Sequence, residues 1–111
     1  MITKTTALQL APKGIRVNSI NPGPVSTNIL RGFGVTHPEV SKKMFEKQGQ
    51  KVPLKFIAIG SDIANMVLFV ANNQLARNVT GTIMVNDSGA LLKPGCLEAN
   101  REELEQIATG Q

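Results

Sequence analysis

Ala11-Pro-Lys-Gly-Ile-Arg-Val-Asn-Ser-Ile-Asn-Pro-Gly-Pro24 is the stretch on which the reading of this chain turns. Pro12 and Gly14 stop any helix that precedes them, since proline cannot continue one and glycine accepts the left-handed conformation of a helix end. Ile15, Val17 and Ile20 then place β-branched side chains along a short strand expected over 15–20. Asn21-Pro-Gly-Pro24 ends it abruptly, because two prolines remove backbone donors and Gly23 permits an unusual φ. Helix stop, strand and rigid turn follow one another without a spacer.

Upstream, Ile2, Thr3, Ala7, Leu8 and Leu10 read as a helix ending near Ala11. It opens without a capping residue ahead of it, which leads us to expect a longer parent protein. Downstream, residues 25–35 read as a loop in which Gly32 and Gly34 make 31–35 mobile. Thr36-His-Pro-Glu39 matches a capping box, with Thr36 as N-cap and Glu39 reaching back. The helix it opens runs to about Gln48, with Val40, Met44 and Phe45 on one face, and Gly49 ends it. Val52-Pro53-Leu54 is irregular. Ser61 or Asp62 caps a further helix whose Ile63, Ala64, Val67, Leu68 and Ala71 form one apolar stripe, and Asn72-Asn73 stops it. Thr82-Ile-Met-Val85 is apolar on both parities and reads as a buried strand. Residues 98–108 read as a terminal helix capped by Asn100, with Leu104, Ile107 and Ala108 facing inward.

A strand, helices and a second buried strand imply a crossover to a parallel pair. Parallel sheets need both faces covered and usually more than two strands. The fold class is therefore α/β, and the expected architecture is the second half of such a domain, incomplete alone.

Composition narrows the chemistry. At 111 residues the chain forms one small domain, and 41% hydrophobic with 18% charged residues excludes a disordered or collagen-like polymer. A single cysteine, Cys96, excludes a disulfide framework. With no Tyr, no Trp and one His, the sequence supplies no phenol as a proton donor and no His-rich metal site. The net charge of +4 is unevenly spread: residues 1–93 hold eleven of the twelve Lys/Arg, and four of the eight Asp/Glu follow them. The basic residues are scattered apart from Lys42, Lys43, Lys47 and Lys51 in one segment, no Tyr or Trp interleaves with them, and the four Phe make no stacking motif, so solvated helix faces explain them better than nucleic acid does. No targeting segment is visible, and the apolar run 57–71 is interrupted by Gly60, Ser61, Asp62 and Asn65, so a cytoplasmic chain away from membranes is expected. Asn78-Val79-Thr80 and Asn86-Asp87-Ser88 match the glycosylation pattern and read as coincidences. His37 has no second His for a metal. Cys96 reads as a free surface or partly buried thiol, Asp62 as a helix cap, and Asp87 with Glu98 or Glu102 makes no carboxylate pair. No catalytic or metal-ligating residue is assigned.

Thr3-Lys-x-x-Ala7-Leu-Gln-Leu-Ala-Pro-Lys-Gly-Ile-Arg-Val-Asn18 followed by Asn21-Pro-Gly-Pro-Val-Ser-Thr27 strongly resembles the classical short-chain dehydrogenase/reductase family. Pro53-Leu54, Asp62-Ile-Ala64, Phe69-Val-Ala71 and Thr80-Gly81 continue the resemblance in order. It implies the C-terminal half of a Rossmann-type doubly wound parallel sheet over residues 1–90, with two strands and three to four helices, starting just after the family's Tyr-x-x-x-Lys motif. Residues 91–111 would be a helical extension. It also implies NAD or NADP as cofactor, with Pro22 and Gly23 turning the chain at a strand's carboxyl end. Val25 would offer its backbone to the nicotinamide carboxamide, and Thr27 a hydroxyl to the carboxamide or pyrophosphate. Residues 28–50 would form a substrate lid over a small carbonyl or alcohol compound, in a parent that is a homo-oligomer. An alternative is a non-catalytic interaction module that assembles with an intact relative through the N-terminal helix and the last strand. The family's Gly-rich phosphate turn, ribose selector, Asn, Ser and Tyr-x-x-x-Lys are absent, so hydride-transfer chemistry would depend on residues upstream. Lys55-Phe56 stands where the family has Gly-Arg, and Asn86-Asp87-Ser88-Gly89 where it has Val-Asp-Gly-Gly.

Overall fold

The computed structural model describes residues 1–98 and 101–109, apart from the side chains of Leu104, Gln106, Ile107 and Ala108. In chain order the elements are helix α1 (Ile2–Leu10), a 3-10 turn (Ala11–Lys13), strands β1 (Ser19–Pro22) and β2 (Val25–Ser26), and a second 3-10 turn (Asn28–Phe33). Helix α2 (Pro38–Lys51), strand β3 (Ala58–Ile59), helix α3 (Gly60–Ala71), strand β4 (Ile83–Asn86), a third 3-10 turn (Ala90–Leu92) and helix α4 (Arg101–Ala108) follow. Both strand pairs, β1 with β4 and β2 with β3, are parallel. The class is α/β, as the sequence predicts. None of the described helices is long and apolar enough to cross a membrane.

The chain divides into two compact units, the first made of Met1–Pro22 and Gly60–Asn86. In this first unit the helix stop at Pro12 and Gly14 takes the form of the 3-10 turn, with Gly14 at φ +73° donating its N–H to the Ala11 carbonyl at 2.9 Å. The strand expected over 15–20 begins only at Ser19 and runs on to Pro22. Residues 16–18 are engaged otherwise. Asn18 donates its amide to the Val79 carbonyl and accepts from the Thr82 N–H, while the Val17 N–H goes to the Thr80 hydroxyl. Arg16 donates to the Val79 carbonyl and to the Asn73 side chain. The Gly81 N–H reaches the Val17 carbonyl at 2.7 Å, and only after this knot does the ladder start, with Ser19 opposite Ile83 and Pro22 opposite Asn86.

β4 is not the buried strand its apolar parities suggest. Ile83 and Val85 are exposed and Met84 and Asn86 half-buried, since β1 is its one ladder partner among the described residues. α3 packs against β1, and Val67, Val70 and Ala71 line an open hollow together with Ile20. α3 starts at Gly60, so Ser61 and Asp62 lie inside its first turn rather than capping it, where the Asp62 carboxylate suits the positive end of the helix dipole. Asn72 stops α3 as expected, its side-chain oxygen accepting from the Gln74 and Leu75 N–H groups.

The second unit comprises Gly23–Ile59 and Asp87–Gln111. α2 begins one residue later than the capping box predicts. His37 is the N-cap and Pro38 occupies the first helical position, where its missing N–H is harmless, and no side chain caps the turn. Gly49 does not end α2. It is buried inside the helix, where a Cβ would stand 3.3 Å from the Phe56 Cα. This glycine admits a close backbone approach, and the helix ends instead at Val52, in extended conformation before Pro53. Val52, fully buried, packs with Ala90 and Cys96, and Ile57 and Leu97 lean on the cluster. Cys96 is thus a buried core residue rather than a surface thiol, and its Sγ–H donates to the Ala90 carbonyl at 3.4 Å. Lys51, at the end of α2, pairs with Glu103 of α4 at 2.6 Å, which ties the terminal helix to this unit. The Asn100 cap and the inward-facing Leu104, Ile107 and Ala108 expected for α4 fall outside what is described.

Candidate functional site

Pro22 closes β1, and the chain crosses into the second unit at Gly23. The turn needs glycine for a different reason than its sequence suggests. Gly23 does not lie at positive φ. A Cβ built on it would stand 2.6 Å from the Asp87 Cβ and 2.8 Å from its Cα, closer than real Cβ atoms come. Glycine is required here by space.

Asp87 holds that contact in place. One carboxylate oxygen accepts from the Gly89 N–H and the other from the Leu91 N–H, each at 2.9 Å, and its carbonyl accepts from the Ala90 N–H. Ser88 at φ +56° and Gly89 at φ +82° complete the turn, whose Ser88 carbonyl takes the Leu54 N–H at 3.1 Å. Asp87 thus works as a local cap for the turn at 90–92. Asp87→Ala should lower stability by about 2 kcal/mol, since two N–H groups lose a charged acceptor. Asp87→Asn, which keeps one oxygen, should lose about half of that. Urea midpoints of the two variants check the order.

Val25 lies in β2 opposite Ala58, and Ser26 opposite Ile59. Thr27 follows in extended conformation (φ −140°, ψ −179°), and its Oγ1 accepts from the Ile29 N–H at 3.3 Å. It therefore caps the 3-10 turn at 28–33, and its own hydroxyl hydrogen is not used by that contact. The stretch 31–35 forms the close of that turn. Gly34, at φ +85°, donates to the Arg31 carbonyl and Val35 to the Leu30 carbonyl.

Thr27 opens on a cleft of about 600 Å³ within the second unit. The 28–36 segment and α2 form two of its walls, and Lys55, Phe56, Ile57 and Ile59 another. Its lining holds three cationic residues, Arg31, Lys42 and Lys55, one acidic residue, Glu46, which lies one turn from Lys42 on α2, and the aromatic Phe45 and Phe56. Among the sequence-derived candidates, Thr27 reaches this cleft, while Pro22, Gly23 and Val25 are not among its lining. Sequence reasoning singled out neither Lys55 nor Asp87 as a site residue, although Lys55 stands at a departure from the resembling family's pattern and Asp87 lies between two, Asn86 and Ser88. His37, as the α2 cap, gathers no ligand set, and no group of three or more His, Cys, Asp or Glu converges among the described residues.

A family model described as enoyl-(acyl carrier protein) reductase matches residues 1–90. The chain belongs to the classical short-chain dehydrogenase/reductase family. It is 40% identical to isoepoxydon dehydrogenase patN of Penicillium expansum, over 72% of this chain and 30% of that protein. A short-chain dehydrogenase/reductase of Caenorhabditis elegans, solved with cofactor, superimposes with a TM-score of 0.77 at 31% identity, covering 89% of this chain and 37% of that one. A small-chain dehydrogenase in complex with NADPH gives 0.65 at 35% identity, over 82% and 38%. The chain thus spans about a third of the length of the short-chain dehydrogenases/reductases it matches. Its parallel pairs and flanking helices are part of the Rossmann-type fold of that family.

Proposed function

We propose that this chain supplies the nicotinamide-facing loop and the substrate-covering segment, residues 28–50, of an NAD(P)-dependent oxidoreductase acting on a small carbonyl or alcohol compound. The observation that carries the reading is Thr27, which directly follows a parallel strand and opens on the cleft with its hydroxyl hydrogen uncommitted to its cap. Open α/β sheets bind ligands beyond the carboxyl ends of their strands. The donor set suits a nicotinamide carboxamide, which needs both a donor and an acceptor. Thr27 offers a hydroxyl, and Val25 a backbone N–H and carbonyl. Pro22 and Gly23 would set the direction of the loop.

When bound, the nicotinamide supplies the hydride acceptor or donor. The residues of this chain bind, orient and shield. Val25 and Thr27 would fix the rotation of the carboxamide, and Phe45, Phe56 and Ile57 would keep water from the cleft. With no Tyr in the sequence, the family's phenol does not come from these residues, and the proton would be handled by a group outside them. Residues 1–90 would form the family domain and 91–111 an added segment held by Lys51 and Glu103. We propose NAD or NADP without preference, a homo-oligomeric parent and a cytoplasmic location. A second reading, an interaction module that pairs with an intact relative, is favoured by the exposure of Ile2 and Leu8 on α1 and of Ile83 and Val85 on β4.

In a parent protein that carries the phosphate turn, Thr27→Val should weaken NADH or NADPH binding about five-fold, the worth of one hydrogen bond of about 1 kcal/mol. Thr27→Ser should bind as the original does. Titration of the reduced cofactor's fluorescence reads both. Equal binding by all three would remove Thr27 from the cofactor site.

A further inference from the structure

Lys55 is held at φ +66°, in the left-handed region that a residue with a Cβ occupies only at an energetic cost. Glycine would make the same turn without strain. Residues held in this way cluster at functional sites, where the surrounding structure keeps them in place. The Lys55 side chain lines the 600 Å³ cleft, a size typical of small-molecule sites. Its ammonium donates to the Gln50 carbonyl at 2.8 Å, which anchors it and leaves two of its three N–H groups for another acceptor. Arg31 and Lys42 line the same cleft, and neither side chain has a hydrogen-bond or ion-pair partner among the described residues. Glu46 is the one acidic residue among the described lining, and Phe45 and Phe56 supply an apolar wall.

We propose that this cleft selects a substrate bearing an oxyanion, a carboxylate or phosphate ester, on an apolar chain, and that Lys55 is the residue that sets the preference. The substrate class rests on the oxidoreductase reading above. The recognition itself does not require turnover. Arg31 offers a planar fork for two oxygens, and Lys55 and Lys42 offer point charges. The aromatic wall takes the chain.

The test is calorimetric binding to the whole protein without cofactor, using 3-oxooctanoate, its methyl ester, octyl phosphate and inorganic pyrophosphate as probes. At least one amphiphilic anion should bind ten-fold or more tighter than the neutral ester, and the stronger of the two identifies the anionic group. That ratio should shrink in 1 M salt. Lys55→Gly should cut it at least three-fold while raising the melting temperature, because it removes the charge and the strain together. Arg31→Gln, which leaves the backbone alone, should cut it as well. Equal binding of acid and ester, or a ratio untouched by Lys55→Gly, would overturn the proposal. Pyrophosphate binding as tightly as the amphiphilic anions would also overturn it, because the cations would then serve cofactor phosphates. Anion preference in a parent that carries the phosphate turn yet binds no nicotinamide cofactor would instead defeat the oxidoreductase reading alone.

Discussion

Gly23→Ala should destabilise the protein by about 3 kcal/mol, the upper end of what an inserted methyl group costs in a packed site. The new Cβ would meet the Asp87 Cβ at 2.6 Å and its Cα at 2.8 Å. The far end of a flexible side chain could swing away, but these atoms cannot. Asp87 is pinned by the Gly89 and Leu91 N–H groups on its carboxylate and by the Ala90 N–H on its carbonyl. Relief therefore requires moving either the loop that carries Val25 and Thr27 or the turn at 87–92. Stability and cofactor binding should fall together. Gly32→Ala is the control, because nothing lies within 4 Å of a Cβ there and its φ is not positive. It should be neutral or stabilise by up to about 1 kcal/mol. Urea midpoints that rank the two variants equally would show that the Gly23 contact yields cheaply.

The contrast between Gly23 and Gly14 shows what a sequence carries and what it hides. Gly14 acts locally: after Pro12 a chain leaving a helix needs a left-handed residue, and the structure gives it φ +73°. Gly23 and Gly49 resemble turn and stop glycines, yet each is required by a close approach of another segment, Asp87 far along the chain for one and Phe56, where the chain folds back after α2, for the other. No local pattern encodes such a neighbour. The β1 strand slipped for the same reason. Ile15 and Val17 have strand propensity, but the residues between them and Ser19 are bonded to the turn at 79–82 through Asn18, Arg16 and Thr80. The parallel pairing was legible, because buried strands separated by helices admit few alternatives. Among the candidate residues, Thr27 could be placed on a loop from its motif. Its hydrogen bond to Ile29 and the cations around it became visible only once the segments 28–36, α2 and 55–59 were folded together. Lys55 left one sequence trace, a lysine where the resembling family has glycine. Its positive φ gives that trace a physical meaning.

The 111-residue chain studied alone is expected to associate rather than melt sharply as a monomer. Leu68 and Phe69 of α3 are 67% and 44% exposed, and Ile83 and Val85 of β4 are 40% and 45% exposed. Burying side chains of this kind stabilises a domain by roughly 1.5–3 kcal/mol each, against about 5–15 kcal/mol for a whole domain. These four are about half exposed, so about half of that stabilisation is missing at each, a sizeable share of the usual margin. The buried apolar set is small, with Val52 the one large side chain fully enclosed among the described residues. Among the described residues β4 also pairs with β1 alone, so its far edge has no ladder partner there and is the kind of template on which strands of other molecules add. Sedimentation velocity with interference optics suits a chain without Tyr or Trp, and it should show species heavier than 12 kDa that grow with concentration. A broad dichroism melt and binding of an apolar dye should accompany them. Val85→Lys with Leu68→Lys should raise the monomer fraction, because like charges on an exposed edge and face oppose stacking. A single sharp transition from a monomer at every concentration would show instead that the small core around Val52, Ala90 and Cys96 and the β1–β4 pair suffice. The exposed faces of α3 and β4 would then be ordinary surface.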